Sequence, residues 1–152
     1  MVADLEEGKA MLERRYAISL LLMLPGLLVV SRASAAEKVS REQIERIISG
    51  IEMKPKWREI SISEKDPRSL TLHFKERPTL SEARYDAEDI ATKVMRALVA
   101  EGHDPKKDWT RVYVHAEEDG LTTITGRPGV RPFGTAYYNH ARDQIEWDPY
   151  RD

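Results

Sequence analysis

The side chains best suited to chemistry share one face of a predicted sheet. If the strands around Leu70–Phe74 and Val112–Val114 turn their aliphatic residues inward, seven other side chains must point the opposite way, because strand residues alternate between faces. They are Thr71, His73, Lys75, Trp109, Arg111, Tyr113 and His115. This aromatic and cationic surface suits an anionic or planar ligand, or a protein partner. The simpler alternative is a solvated face that the first helix partly covers.

A second candidate is the segment from Thr123 to Gly134, which contains three glycines and two arginines, Arg127 and Arg131. Glycines expose main-chain N–H groups, and paired guanidinium groups bind carboxylates or phosphates. The glycine spacing matches no phosphate-binding loop, so an ordinary structural connection is the alternative. The predicted ligand-binding residues are Arg111, Tyr113, His115, Arg127 and Arg131.

Enzymatic chemistry has weaker support in the sequence. None of the four histidines forms a close metal-binding pair, although His73 and His115 could meet on adjacent strands, with Glu117 two residues further along. That arrangement would suit zinc in a small metal-dependent hydrolase, which is the alternative function. No serine-nucleophile motif is present. We therefore assign no catalytic residue and no metal ligand, and we expect no cofactor.

The composition excludes several classes of function. The 152 residues include 24 basic and 26 acidic side chains and no cysteine. Disulfides, thiolate catalysis and cysteine-bound zinc are therefore impossible. A net charge of −2 also argues against a non-specific nucleic-acid binder, whose affinity depends on neutralised phosphates.

The N-terminal segment resembles an export signal. Residues 16–30 are uncharged and mostly apolar, and they follow the arginine pair at 14–15. The run is shorter than the roughly 20 apolar residues of a membrane-spanning helix. Small residues at Ala33 and Ala35 then predict cleavage after Ala35.

We therefore expect an export signal over residues 1–35, with Met11 as the favoured start, and one globular domain over 36–152. The general secretory route is favoured over twin-arginine export, because the residues around the arginine pair fit the latter only partly. The predicted localisation is periplasmic or secreted. An uncleaved anchor at 16–30 would instead make the chain a membrane-tethered accessory subunit.

Hydrophobic periodicity predicts the elements that must position these residues. A helix begins at Ser40, and a second runs from Thr79 to Gly102. The predicted strands are Trp57–Ser63, Leu70–Phe74, Trp109–Glu117, Gly134–Asn139 and Gln144–Trp147, and residues 118–134 are predicted to form a long connection with room for a short strand at Leu121–Thr125. The fold class is α+β: a small antiparallel sheet of four to five strands, one main helix on one face and a second N-terminal helix.

Together these patterns favour an exported, non-enzymatic domain. Its partner would be an unidentified protein or a small anionic ligand, and not nucleic acid. Contact with the membrane is expected only through the signal segment before cleavage.

Overall fold

The computed structural model describes residues 38–106 and 111–151. The predicted signal segment, the start at Met11, the cleavage after Ala35 and the apolar run at 16–30 lie outside the described residues, as does Trp109. Within the two described ranges, no helix combines the length and the apolar character needed to cross a membrane.

Two helices and five strands make up the described fold. In chain order they are α1 (Arg41–Ser49), β1 (Trp57–Ile62), β2 (Ser69–Phe74), α2 (Leu80–Ala100), β3 (Tyr113–Thr122), β4 (Pro128–Asn139) and β5 (Gln144–Pro149). The strands form one sheet in the order β1-β2-β3-β4-β5. The predicted α+β class is thereby confirmed.

The sheet is mixed rather than antiparallel throughout. Strands β2 and β3 pair in parallel, from Ser69 opposite Tyr113 to Phe74 opposite Glu118, whereas the other three pairs are antiparallel. The prediction of a wholly antiparallel sheet is wrong at this pair. Helix α2 connects β2 to the strand beside it, and a helical crossover returns the chain to the end of the sheet where β2 began. Adjacent strands joined in this way must run in the same direction.

Helix α2 begins as the sequence predicts and buries the predicted face. The Thr79 hydroxyl accepts a hydrogen bond from the Glu82 main-chain N–H at 3.1 Å, and the Glu82 carboxylate accepts one from Thr79 N–H at 2.7 Å. The chain leaves the helix through Gly102, whose φ of +97° favours glycine. The buried side chains are Ala83, Asp86, Ala87, Ile90, Ala91, Val94, Met95 and Leu98.

Unfolding should become easier in acid because of the carboxylate that caps α2. Hydrogen bonds from Lys56 and from Thr79 lower the pKa of Glu82 from 4.5 to about 2. The Glu82 carboxyl therefore binds a proton less tightly in the folded state than in the unfolded state. The stability that the ionised Glu82 contributes is complete above pH 4.5 and is lost as the pH falls from 4.5 towards 2. We expect Glu82→Gln to show a shallower loss of stability across that interval in urea denaturation. Identical pH slopes for the variant and the wild type would contradict this assignment.

Helix α1 packs on the same side of the sheet as α2. Ser40 caps it by accepting a hydrogen bond from Gln43 N–H at 3.2 Å, and Ile44 is fully buried in the common core. Its contacts are with α2 and β1. The expectation that the first helix covers part of the opposite sheet face is therefore wrong, because the apolar side of α1 joins the single core.

One acidic side chain is buried where β1 meets α2. Asp86 is 8% exposed and accepts a hydrogen bond from the Trp57 indole N–H at 2.7 Å. Its other carboxylate oxygen lies 2.5 Å from Lys54 Nζ. The Lys54 ammonium group lies 5.1 Å from the ring centres of both Trp57 and Tyr85. This cluster ties the start of the sheet to the first turns of α2.

Strands β3 and β4 extend far beyond the predicted strands and form a long hairpin. The predicted connection over residues 118–134 is wrong, because most of it pairs, from Glu118 opposite Arg131 to Thr122 opposite Pro128. Gly120 has a φ of +76° beside a register shift, which interrupts the alternation of side chains. Strand β5 pairs with β4 only from Gly134 onward, so Pro128 and Pro132 lie in the part of β4 that β5 does not reach. Proline is tolerated on this edge because β5 has no carbonyl group there that would need the missing N–H group.

Gly134 marks the point where β4 enters the five-stranded part of the sheet. It pairs with Ala116 of β3 and with Pro149 of β5. A Cβ atom at this position would lie 2.5 Å from the Asp148 carbonyl oxygen and closer still to the Trp147 indole ring. The close approach of Trp147 therefore depends on the absence of a side chain at Gly134.

Candidate functional site

The sheet face opposite the two helices is polar. We call it the open face, and it carries the half-buried side chains of Thr71, His73, Tyr113, His115, Glu117, Asp119, Thr135 and Tyr137. The alternation follows the prediction, since Leu70, Leu72 and Val114 point into the core. The surface is nevertheless less cationic than predicted, because Glu117 and Asp119 contribute carboxylates in its centre.

His73 is the centre of a histidine–carboxylate cluster that spans β2 and β3. Its Nδ1 atom lies 3.0 Å from Asp119 Oδ1 and 3.3 Å from Glu117 Oε1. Its Nε2 atom lies 2.8 Å from the Ser61 hydroxyl on β1. The parallel pairing places His73 directly opposite Glu117, which explains why the residues meet. We call His73, Glu117 and Asp119 the His–carboxylate cluster.

The cluster is shielded from solvent on most sides. The side-chain exposures are 14% for His73, 22% for Glu117 and 16% for Asp119. Arg58 contributes a cation, with its Nε atom 3.8 Å from Asp119 Oδ2, and its own side chain is half exposed. Donor atoms of the three clustered residues all lie within 4.8 Å of one another, which is close enough for one metal ion.

His115 lies on the same face and is held differently. Its Nε2 atom is 3.2 Å from the Ser69 hydroxyl, and its Nδ1 atom is 2.8 Å from the Thr135 hydroxyl. Burial lowers the pKa of His115, although the nearby Glu117 carboxylate opposes the shift. The ring is therefore uncharged at neutral pH, with both nitrogens contacting hydroxyl groups.

A groove lies beside the cluster and is lined by residues of β3, β4 and β5. Its volume is about 680 Å³. Six side chains that line this groove carry polar groups: His115, Glu117, Thr135, Asp148, Tyr150 and Arg151. Glu117 belongs both to the groove and to the His–carboxylate cluster. A ligand in the groove would therefore lie next to the cluster.

The predicted ligand-binding residues do not form one surface. Tyr113 and His115 lie on the open face, and Arg111 immediately precedes β3 with its Nη2 atom 2.8 Å from His140 Nδ1. Arg131 pairs with Glu118, three residues beyond His115, so alternation places it on the other side of the sheet. Arg127 is exposed in the turn between β3 and β4.

The proposed zinc ligands of the alternative hydrolase are only partly together. His73 and Glu117 are in contact, as the prediction requires. Both ring nitrogens of His115 contact hydroxyl groups instead, and Asp119 takes the third position beside His73. The sequence interpretation missed Asp119 because the predicted strand stopped at Glu117. A strand continued by two residues would have placed Asp119 on the same face.

No protein-family model, curated protein or solved structure matches the chain. Functional inference therefore depends on the chemistry of the open face.

Proposed function

We propose that the protein is an exported, non-enzymatic domain that binds a small polar ligand in the groove of the open face. The observation that carries this proposal is the position of the groove, which brings acidic, basic and hydroxyl groups from β3, β4, β5 and residues 150–151 around one depression. Concave sites with a few convergent polar groups are the usual places for small ligands.

The charges around the groove favour a ligand with an amino group. Glu117 and Asp148 supply two carboxylates, Arg151 supplies one guanidinium group, and the half-buried ring of His115 is uncharged at neutral pH. An ammonium group could approach the two acids while a carboxylate on the same ligand meets Arg151. We therefore favour a zwitterionic, peptide-like ligand for this groove.

A thermal-shift experiment tests the groove directly. We expect millimolar glycylglycine to raise the melting temperature of the wild type, and we expect Asp148→Asn to reduce the shift because one acid is lost. Asp89→Asn on α2 is the matched control. Asp89 forms an ion pair with Lys93, with 2.8 Å between Oδ2 and Nζ, and does not line the groove. Equal shifts in Asp148→Asn and the wild type would exclude the groove as the binding site.

The small anion predicted from the sequence is the second ligand class. Arg127 is exposed at the tip of the β3–β4 hairpin, where a phosphate could reach it. Arg127→Gln is the informative variant, because removing Arg131 would also deprive the nearly buried Glu118 of its ion pair. If inorganic phosphate raises the melting temperature of the wild type but not of Arg127→Gln, an anionic ligand is favoured over the zwitterion. The shift should also decrease as the salt concentration rises.

Export is the other half of the proposal, and it has its own test. The basic, apolar and small-residue regions at 14–36 stand in the order that signal peptidase requires. We expect N-terminal sequencing of the exported protein to begin at Ala36. A chain recovered from membranes with residues 16–30 intact would favour the tethered accessory subunit instead.

A further inference from the structure

We propose that the His–carboxylate cluster binds a divalent transition-metal ion through His73 Nδ1, Glu117 and Asp119. Within the part of the chain that the structure describes, this is the one group of three metal-ligating side chains whose donor atoms approach so closely. The inference goes beyond the proposed function, because the metal site does not require a ligand in the groove.

The spacing of the donor atoms fits a small metal ion. His73 Nδ1 lies 3.0 Å from Asp119 Oδ1 and 3.3 Å from Glu117 Oε1. Two ligands of a tetrahedral zinc ion, each at roughly 2.0–2.2 Å, are about 3.4 Å apart. His73 therefore needs to separate only slightly from each carboxylate to admit the ion.

Ser61 prepares the imidazole ring for this role. Its hydroxyl lies 2.8 Å from His73 Nε2 and can accept a hydrogen bond from an Nε2–H group once the metal ion displaces the proton from Nδ1. With the proton on Nε2, Nδ1 presents its lone pair to the space between the two carboxylates. Metal-binding histidines are typically oriented by such a hydrogen bond from the other ring nitrogen. Ser61 is thus a positioning residue.

The local charge also favours a cation. Glu117 and Asp119 are two residues apart on one strand face, and both are largely removed from solvent. Arg58 places a positive charge 3.8 Å from one oxygen of Asp119. A divalent ion would offset the repulsion between the carboxylates more effectively than this half-exposed side chain does.

The ligand types indicate which ions are preferred. Imidazole suits Zn²⁺, Fe²⁺, Ni²⁺ and Cu²⁺, whereas Mg²⁺ and Ca²⁺ prefer sets made of oxygen alone. Three protein ligands also leave a fourth tetrahedral position open on zinc. Because Glu117 lines the groove, a molecule bound in the groove could occupy that position.

The test is calorimetric titration of Zn²⁺ into the full chain after treatment with a chelator and dialysis into metal-free buffer. We expect one zinc ion per chain, and we expect His73→Ala and Asp119→Asn each to weaken binding by more than about 10-fold. Ser61→Ala should weaken it by a smaller factor without abolishing it. Binding of Co²⁺ should give the intense visible absorption of a tetrahedral site, and His73→Ala should remove this absorption.

Two matched controls make the result decisive. His115→Gln changes a histidine on the same face, and Asp148→Asn changes an acid in the groove, and neither should alter zinc affinity appreciably. Zinc binding that survives unchanged in folded His73→Ala and Asp119→Asn variants would overturn the proposal. Equal affinity for Mg²⁺ and Zn²⁺, or no zinc binding by the folded wild type, would also overturn it. Loss of groove binding in Asp148→Asn with zinc binding retained would show that zinc binding does not depend on the groove ligand.

Discussion

Replacing Gly134 with alanine should lower the free energy of unfolding by about 2 to 4 kcal/mol, which is at the upper end of the cost of overpacking. The added methyl group would lie 2.5 Å from the Asp148 carbonyl oxygen and would overlap the Trp147 indole. Neither neighbour can move freely, because β5 is paired along β4 from Gly134 to Asn139. Urea denaturation of the variant and the wild type measures the difference.

Gly50→Ala is the matched control for this substitution. Gly50 has a φ of −87°, and a methyl group there would lie 3.5 Å from the nearest atom, the Ile47 carbonyl oxygen. We expect its stability to change by no more than about 1 kcal/mol, in the stabilising direction. If Gly134→Ala were as stable as Gly50→Ala, this result would contradict the close packing of Trp147 against Gly134.

The second large effect is expected at Asp86. Asp86→Ala should lower the free energy of unfolding by about 2 to 4 kcal/mol, because it leaves the buried Trp57 N–H without an acceptor and Lys54 without its carboxylate. The Lys54 side chain is 38% exposed, so water recovers part of its solvation. Chemical denaturation, followed by the fluorescence of the tryptophans, measures the loss.

Two further variants separate the loss of the Trp57 hydrogen bond from the loss of an ion pair. In Asp86→Asn the amide oxygen can still accept the hydrogen bond from Trp57, so this variant should lose less stability than Asp86→Ala. Asp89→Ala, three residues along the same helix, removes only a partly exposed pair with Lys93 and should cost about 0.5 kcal/mol or less. Similar losses in Asp86→Ala and Asp89→Ala would contradict the buried role of Asp86.

Local sequence patterns predicted the elements that do not depend on distant pairing. The first hairpin and helix α2 follow from alternation at Leu70 to Phe74 and from the cap at Thr79, both of which act within a few residues. The parallel pairing of β2 with β3 required knowing that α2 joins adjacent strands. No local pattern contains that information, because it depends on where the chain returns to the sheet.

The candidate site shows the same division between local and distant information. Period-two alternation placed His73 and His115 on one face, but Asp119 was missed because the predicted strand ended at Glu117 and the glycine-rich residues that follow were predicted to form a connection. The pairing of Arg131 with Glu118 depends on the register between β3 and β4, which bulges set. The sequence alone therefore could not show that Arg131 faces Glu118 and lies apart from the open face.

The two prolines of β4 affect whether two molecules of this protein can associate by strand pairing. The outer part of the β3–β4 hairpin extends past β2 and β5, and an exposed pair of strand edges can recruit a strand from a second chain. Pro128 and Pro132 deny such a strand the regular row of N–H donors that it would need. The β4 edge of the hairpin is therefore a poor template for edge-to-edge pairing, although Ile124 is fully exposed at the tip.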